Sequence, residues 1–233
     1  MAFDYDGAWA QYVAVPAAAL VRVPESIPLE QAAVLADAVS TPYGAVVATG
    51  NVRPAEAVGI WGLGGLGTHA VQIARLCGAS PIIALDPLPG ARERALKLGA
   101  DAALDPADEG PAAYQGADRG RGLRAAFDCV GKAASFRQAE AALGHRGRLV
   151  LVGLSPDSLD FGSELAFTVK RHSVIGHLGY RKEHMEELVE LVARGRLDIS
   201  GSVSEILPLE EIQEGVRKLH EYEGNPIRII VRP

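Results

Sequence analysis

"GIWGLGGLGTHAVQ", Gly59 to Gln72, carries a short apolar run into a helical pattern through a glycine-rich turn. Gly62, Gly64 and Gly67 set a G-x-G-x-x-G spacing, with Gly65 and Leu66 inside it. In a chain with 26 glycines that spacing alone is a weak signal. Its context raises it. The turn follows a predicted strand, Ala57–Trp61, and opens a predicted helix that runs to Gly78. Asp86 then stands about twenty residues beyond Gly67, at the end of the next apolar run. Gly62 permits the tight turn, Gly64 lets backbone approach a pyrophosphate, and Gly67 lets helix and strand pack closely. The pyrophosphate would meet the positive end of the helix and its free N–H groups. Asp86 would accept hydrogen bonds from a ribose and repel a 2′-phosphate. Pro87, Leu88 and Pro89 offer no cation, which favours NAD over NADP. The plain alternative is a glycine turn with no ligand and a solvated carboxylate.

Working outward, short apolar runs alternate with helical patterns. Pro81–Asp86, Asp101–Asp105, Leu123–Gly131, the run "GRLVLVGL" and His172–His177 read as further strands. The helices between them end at Gly78, Gly99 and Gly144, ordinary C-terminal stops. Such alternation implies an α/β fold: a Rossmann-type doubly wound parallel sheet of about six strands, covered on both faces. The flanks differ. "AQYVAVP" and "ALVRVP", within Gly7–Pro24, look like short strands, and the C-terminal stretch reads strand, helix, strand. Pro106–Gly122 is the most loop-like interior stretch.

Composition narrows the function class. Hydrophobic residues make up 48% of 233, enough for a substantial core. The formal net charge is −6 with scattered Lys and Arg, which argues against nucleic acid or an anionic membrane as partner. Cys77 and Cys129 lack the spacing of a zinc knuckle or disulfide framework. The start has no signal-peptide pattern and no segment is expected to span a membrane. A reduced, cytoplasmic protein is the expectation.

With these motifs in place, the chain resembles the zinc-type alcohol dehydrogenases of the medium-chain dehydrogenase/reductase superfamily. The match runs nearly end to end through "DGAWAQYV", "VLADAVSTPYGAV", "WGLGGLGTHAVQIARLCGA", "ALKLGADAALD", "FDCVG", "GRLVLVGL" and "NPIRIIVRP". The resemblance implies that residues 1–34 are a remnant of a GroES-like catalytic domain and residues 35–200 the NAD-binding Rossmann domain. Residues 201–233 would return to the catalytic domain. It implies NAD(H) as cofactor and a small alcohol or carbonyl substrate in the complete enzyme. It also implies a homodimer or homotetramer, joined through the sixth-strand region Lys170–His177. Thr41 falls where relatives place a threonine beside the nicotinamide. Cys129, Val130, Val152, Gly153 and Leu154 match strand ends lining that pocket, and Arg228 matches an arginine reaching the pyrophosphate. His177, at the end of the sixth strand region, is also expected among the cofactor-binding residues.

Asp37 is the one charged residue between Glu30 and Arg53. Amid so much Ala, Val and Leu it is expected to be buried, which is costly for an ionised carboxylate without a partner. Thr41–Pro42 reads as N-cap and first residue of a new helix, which puts Asp37 at a break between two helices. The resemblance makes Asp37 the third ligand position of the catalytic zinc. The other ligands belong to the region ahead of the match, so no catalytic set is complete and zinc binding by this chain alone is not expected. Two other readings stay open: a naturally shortened NAD(H)-binding module without turnover, and a zinc-free quinone oxidoreductase-like reductase.

Overall fold

A computed structural model describes residues 7–108 and 120–233. The chain divides into two compact units, one of residues 37–181 and one of residues 1–36 with 182–233. The first unit holds the parallel sheet. Its strands are β1 Val58–Trp61, β2 Ile82–Leu85, β3 Ala102–Leu104, β4 Leu123–Asp128, β5 Leu143–Leu151 and β6 Ser173–Gly176. They lie in the order β3-β2-β1-β4-β5-β6, every pair parallel. The reversal of order falls between β1 and β4, where an open α/β sheet forms its ligand crevice at the carboxyl ends of the strands.

Sequence dictates why these strands sit in the centre. β1 and β2 are buried at every position, so their side chains serve both faces. One face gathers Trp61, Ile83, Leu85, Leu123 and Leu149 against Phe136 and Ala139 of the helix Ala133–Ala142. Phe127 and Phe136 are almost wholly buried, worth about 1.5–3 kcal/mol each. The connecting helices are Leu29–Thr49 (α1), Gly65–Leu76 (α2), Pro89–Lys97 (α3), Ala133–Ala142 (α4) and Glu164–Lys170 (α5). Part of the loop expected over Pro106–Gly122 lies outside the described residues.

Three expectations about secondary structure change. The helix before β5 ends at Ala142 rather than at Gly144, because Leu143 is already extended and pairs with Leu123. The flanking stretches "AQYVAVP" and "ALVRVP" form no strand. Pro16 and Leu20 have extended backbone, but no ladder partner reaches them among the described residues, and only a short 3₁₀ turn forms at Ala17–Ala19. Finally, no break separates two helices near Asp37. Helix α1 runs through, with wide i→i+5 turns at Leu35–Val39 and Gly44–Thr49. The wide turn before Pro42 opens the ladder where proline has no N–H to give. By length and composition α1 could cross a membrane, contrary to the sequence expectation, yet 61% of its most apolar window is buried inside the protein. That is the pattern of a core helix.

The second unit contains the helix Lys182–Ala193 (α6) and a β-α-β element. Its strands β7 Val203–Pro208 and β8 Arg228–Arg232 pair in parallel, joined through the helix Ile212–His220 (α7). The C-terminal strand, helix and strand are thus present, and the two strands pair with each other in a sheet of their own. β7 is half-buried rather than core-like. Lys218 on α7 holds the Glu205 carboxylate of β7 at 2.7 and 2.9 Å.

Candidate functional site

The glycine turn is built as its spacing requires. Gly62 has φ +83°, open to glycine at little cost, and its N–H continues the ladder to the Leu85 carbonyl at 2.8 Å. A Cβ on Gly67 would stand 1.7 Å from the Gly62 carbonyl oxygen, so only glycine lets α2 approach the end of β1. A Cβ on Gly64 would meet nothing within 4 Å. The space beside Gly64 is open, and Gly64 caps α2 with no side-chain acceptor. The first N–H groups of α2, at Gly65, Leu66 and Gly67, therefore belong to a helix end that no side chain closes.

Leu63, the variable residue between the first two glycines, is clamped on both sides. Its N–H donates to Asp86 Oδ2 at 2.7 Å. Its carbonyl accepts from Thr68 Oγ1 at 2.7 Å and from Arg94 Nη2 at 3.0 Å. Asp86 Oδ1 accepts the Leu88 N–H at 2.9 Å, so one carboxylate joins the glycine turn to the turn after β2. Burial lowers the Arg94 guanidinium pKa, opposed by the Asp86 charge. Arg92 Nη1 donates to the Asp86 carbonyl at 2.7 Å, the Pro87 carbonyl at 2.8 Å and the Asp105 carboxylate at 2.9 Å. The turn after Asp86 thus has a cation beside it, six residues on, already committed to Asp105. Sequence reading missed Thr68, Arg92 and Arg94. The signal was present in the two arginines on the helix that follows Asp86.

The other half of the crevice lies at the ends of β4, β5 and β6. Asp128 organises it: Oδ1 accepts the N–H groups of Val130 at 2.9 Å and Gly131 at 3.1 Å, and Oδ2 accepts the Ser135 hydroxyl at 3.1 Å. The Asp128 carbonyl accepts the Val152 and Gly153 N–H groups, both at 2.9 Å. Cys129 sits just beyond, its N–H on the Trp61 carbonyl at 2.9 Å. Burial, aided by the Asp128 charge, pushes the Cys129 thiol pKa up. A cavity of about 400 Å³ opens here, lined by Asp128, Gly131, Gly153, Leu154, Gly176 and His177 among others.

Thr41 is buried on α1 and donates through Oγ1 to Asp37 Oδ1 at 3.1 Å. Asp37 is exposed, not buried as its neighbours suggested. A helix buried on one side still turns its fifth or ninth residue outward. Burial and the Asp37 charge together raise the Tyr180 phenol. His177 reaches α1 with both ring nitrogens: Nδ1 lies 2.8 Å from Thr49 Oγ1 and Nε2 3.0 Å from the Thr41 carbonyl. Thr49 was another residue the sequence did not suggest. Arg228 belongs to the second unit, at the first position of β8, where it donates to the Ile227 carbonyl at 3.0 Å. Among the described residues, no three His, Cys, Asp or Glu side chains are arranged to hold a metal ion. Catalytic zinc takes three protein ligands and an open position, and the described residues do not fit it.

The profile of the zinc-binding dehydrogenase family matches residues 65–194. The chain is 32% identical over 232 residues to a probable zinc-binding alcohol dehydrogenase of Mycobacterium tuberculosis, covering 97% of this chain and 59% of that protein. It is 31% identical over 234 residues to an alcohol dehydrogenase of Geobacillus stearothermophilus, covering 99% of this chain and 66% of the relative. Among solved structures, the alcohol dehydrogenase of the archaeon Aeropyrum pernix superposes with a TM-score of 0.87 at 30% identity, over 98% of this chain and 66% of its own. An NAD-dependent alcohol dehydrogenase superposes with a TM-score of 0.88 at 27% identity, over 97% of this chain and 65% of its own.

Proposed function

This chain belongs to the zinc-binding dehydrogenase family, and on that premise we propose that it is the cofactor-binding portion of an NAD-dependent alcohol dehydrogenase-like oxidoreductase. The observation that carries the reading is the glycine turn: a prefolded cradle whose Gly64 side is open and whose helix end no side chain caps. The N–H groups of Gly65, Leu66 and Gly67 would take the pyrophosphate, with Gly62 and Gly67 setting the turn. Asp86 keeps lone pairs beyond its bonds to Leu63 and Leu88 and would accept from the adenosine ribose. Cys129, Val130, Val152, Gly153 and Leu154 would line the nicotinamide half, with Thr41 and His177 beside them, and Arg228 would reach the pyrophosphate. When bound, the nicotinamide supplies a hydride acceptor or donor for an alcohol or carbonyl substrate. The chain's own residues bind and orient it; among the described residues there is no complete metal site, and no metal-assisted step is assigned to them.

Residues 1–34 and 201–233 would belong to a β-rich catalytic domain, and residues 35–200 to the cofactor domain. A homodimer or homotetramer is supported by the edge of β6, which among the described residues pairs only with β5, and by exposed Val169 and Leu178 beside it. A cytoplasmic location agrees with the two free cysteines.

Calorimetric titration with NADH and NADPH tests the reading. NADH should bind, and NADPH at least about tenfold more weakly, since the Asp86 carboxylate repels a 2′-phosphate. Asp86→Asn should narrow that ratio. Tighter binding of NADPH would overturn the choice of NAD, and binding of neither would overturn the cofactor reading. A second reading, a module that binds NAD(H) without turnover, is favoured by the absence of a three-donor metal cluster among the described residues. Zinc-dependent oxidation of an alcohol by the purified chain would exclude it.

A further inference from the structure

We propose that His177 is a positioning residue: its two ring nitrogens fix α1 against the nicotinamide end of the crevice rather than hydrogen-bond to the cofactor. This rests on the cofactor reading above. His177 follows β6 and stays in the sheet ladder, its N–H on the Leu151 carbonyl at 2.9 Å. Its ring then spans two turns of α1, with Nε2 on the Thr41 carbonyl at 3.0 Å and Nδ1 on the Thr49 hydroxyl at 2.8 Å. A carbonyl only accepts, so Nε2 carries a proton, and the Thr49 hydroxyl, which can donate or accept, pairs with Nδ1. The Thr41 carbonyl stands where the helix changes from α to wide turns, and the Gly44 N–H is shared between it and Ser40. The ladder changes pitch there, and the imidazole gives the Thr41 carbonyl a second donor besides the Gly44 N–H.

The placement gives this clamp a functional direction. With the glycine turn and Asp86 at the ends of β1 and β2, the second half of an extended dinucleotide must cross to the ends of β4, β5 and β6. His177 lines the cavity there, beside Gly153 and Gly176. Thr41 is held from both sides, its carbonyl by His177 and its hydroxyl by Asp37. The ring nitrogens thus face the helix, while His177 itself stands at the cavity wall.

The experiment compares NADH with ADP-ribose, which carries the same adenosine and pyrophosphate but no nicotinamide. His177→Ala should weaken NADH about tenfold, as expected for two lost hydrogen bonds, and leave ADP-ribose within about twofold. His177→Gln should restore most of the loss, because an amide can donate to the Thr41 carbonyl and accept from Thr49. Thr49→Val removes one anchor without touching His177 and should give a smaller loss for NADH alone; it also serves if His177→Ala fails to fold. Equal weakening of both ligands would show a merely structural role and overturn the proposal. So would unchanged NADH affinity, or no recovery with Gln when His177→Ala is weakened. If the unmodified chain binds ADP-ribose but not NADH, the clamp is excluded while the glycine-turn site stands. If it binds neither, the cofactor reading itself falls.

Discussion

At the N-terminal end of the sheet, Arg148 donates to the carbonyls of Gly50, Asn51 and Arg124 and to the Glu56 carboxylate. Glu56 also accepts the Arg53 N–H at 3.1 Å. At the C-terminal end, α2 begins without a capping side chain and Gly64 faces open space. The first end uses its polar groups on one another and gains stability. The second leaves donors with spare capacity at a helix terminus, where binding an anion is favourable. Within one sheet, the difference lies in which polar groups find an internal partner.

The largest effect expected comes from Gly67→Ala. With a Cβ 1.7 Å from the Gly62 oxygen, the turn must deform. A loss of about 3 kcal/mol in denaturant unfolding and abolished NADH binding are the expected results. Next comes Arg148→Met, which leaves Glu56 to the Arg53 N–H at 3.1 Å and the Arg124 guanidinium at 3.9 Å, at a site where the Arg148 and Glu56 side chains keep only 16% and 17% exposure. It should cost about 1–3 kcal/mol, below the range for wholly buried pairs, and leave NADH affinity within about twofold. Gly64→Ala is the converse. Its backbone (φ −73°, ψ −154°) suits any residue, so stability should stay within about 0.5 kcal/mol while NADH affinity falls about tenfold. A stable Gly64→Ala protein with normal affinity would break the contrast between the two ends.

The smallest effect is a pH dependence. Burial works to raise the Glu56 carboxyl, and the hydrogen bonds and charge of Arg148 with the Arg53 N–H outweigh it, holding Glu56 below the usual range. A carboxyl depressed in the folded state stabilises above its unfolded pKa and loses that contribution as pH falls through its folded pKa. The stability gap between the unmodified chain and Glu56→Gln should therefore be full near pH 7 and shrink below about pH 4.5.

The sheet was legible because its strands are short apolar runs set between helical patterns, with glycine stops at Gly78 and Gly99 before β2 and β3. The glycine turn was legible because each of Gly62, Gly64 and Gly67 answers a separate local demand. Contacts made by side chains distant in sequence were not. Arg94 reaches Leu63 across 31 positions and His177 reaches Thr49 across 128, and no local period encodes either. Asp37 misled for a related reason. Composition around a residue bounds its average burial, but the angle around the helix decides its own, and here that angle points outward. The flanking segments around Tyr12 and Leu20 carry strand-like sequence without a ladder, because a strand needs a partner.

Hydrogen–deuterium exchange of the chain with and without saturating NADH tests the contrast most directly. The account predicts slowed exchange at residues 63–68, 129–131 and 152–154, with residues 53–57 and 145–148 unchanged. Protection confined to the N-terminal end of the sheet, or none at the glycine turn under saturation, would contradict it.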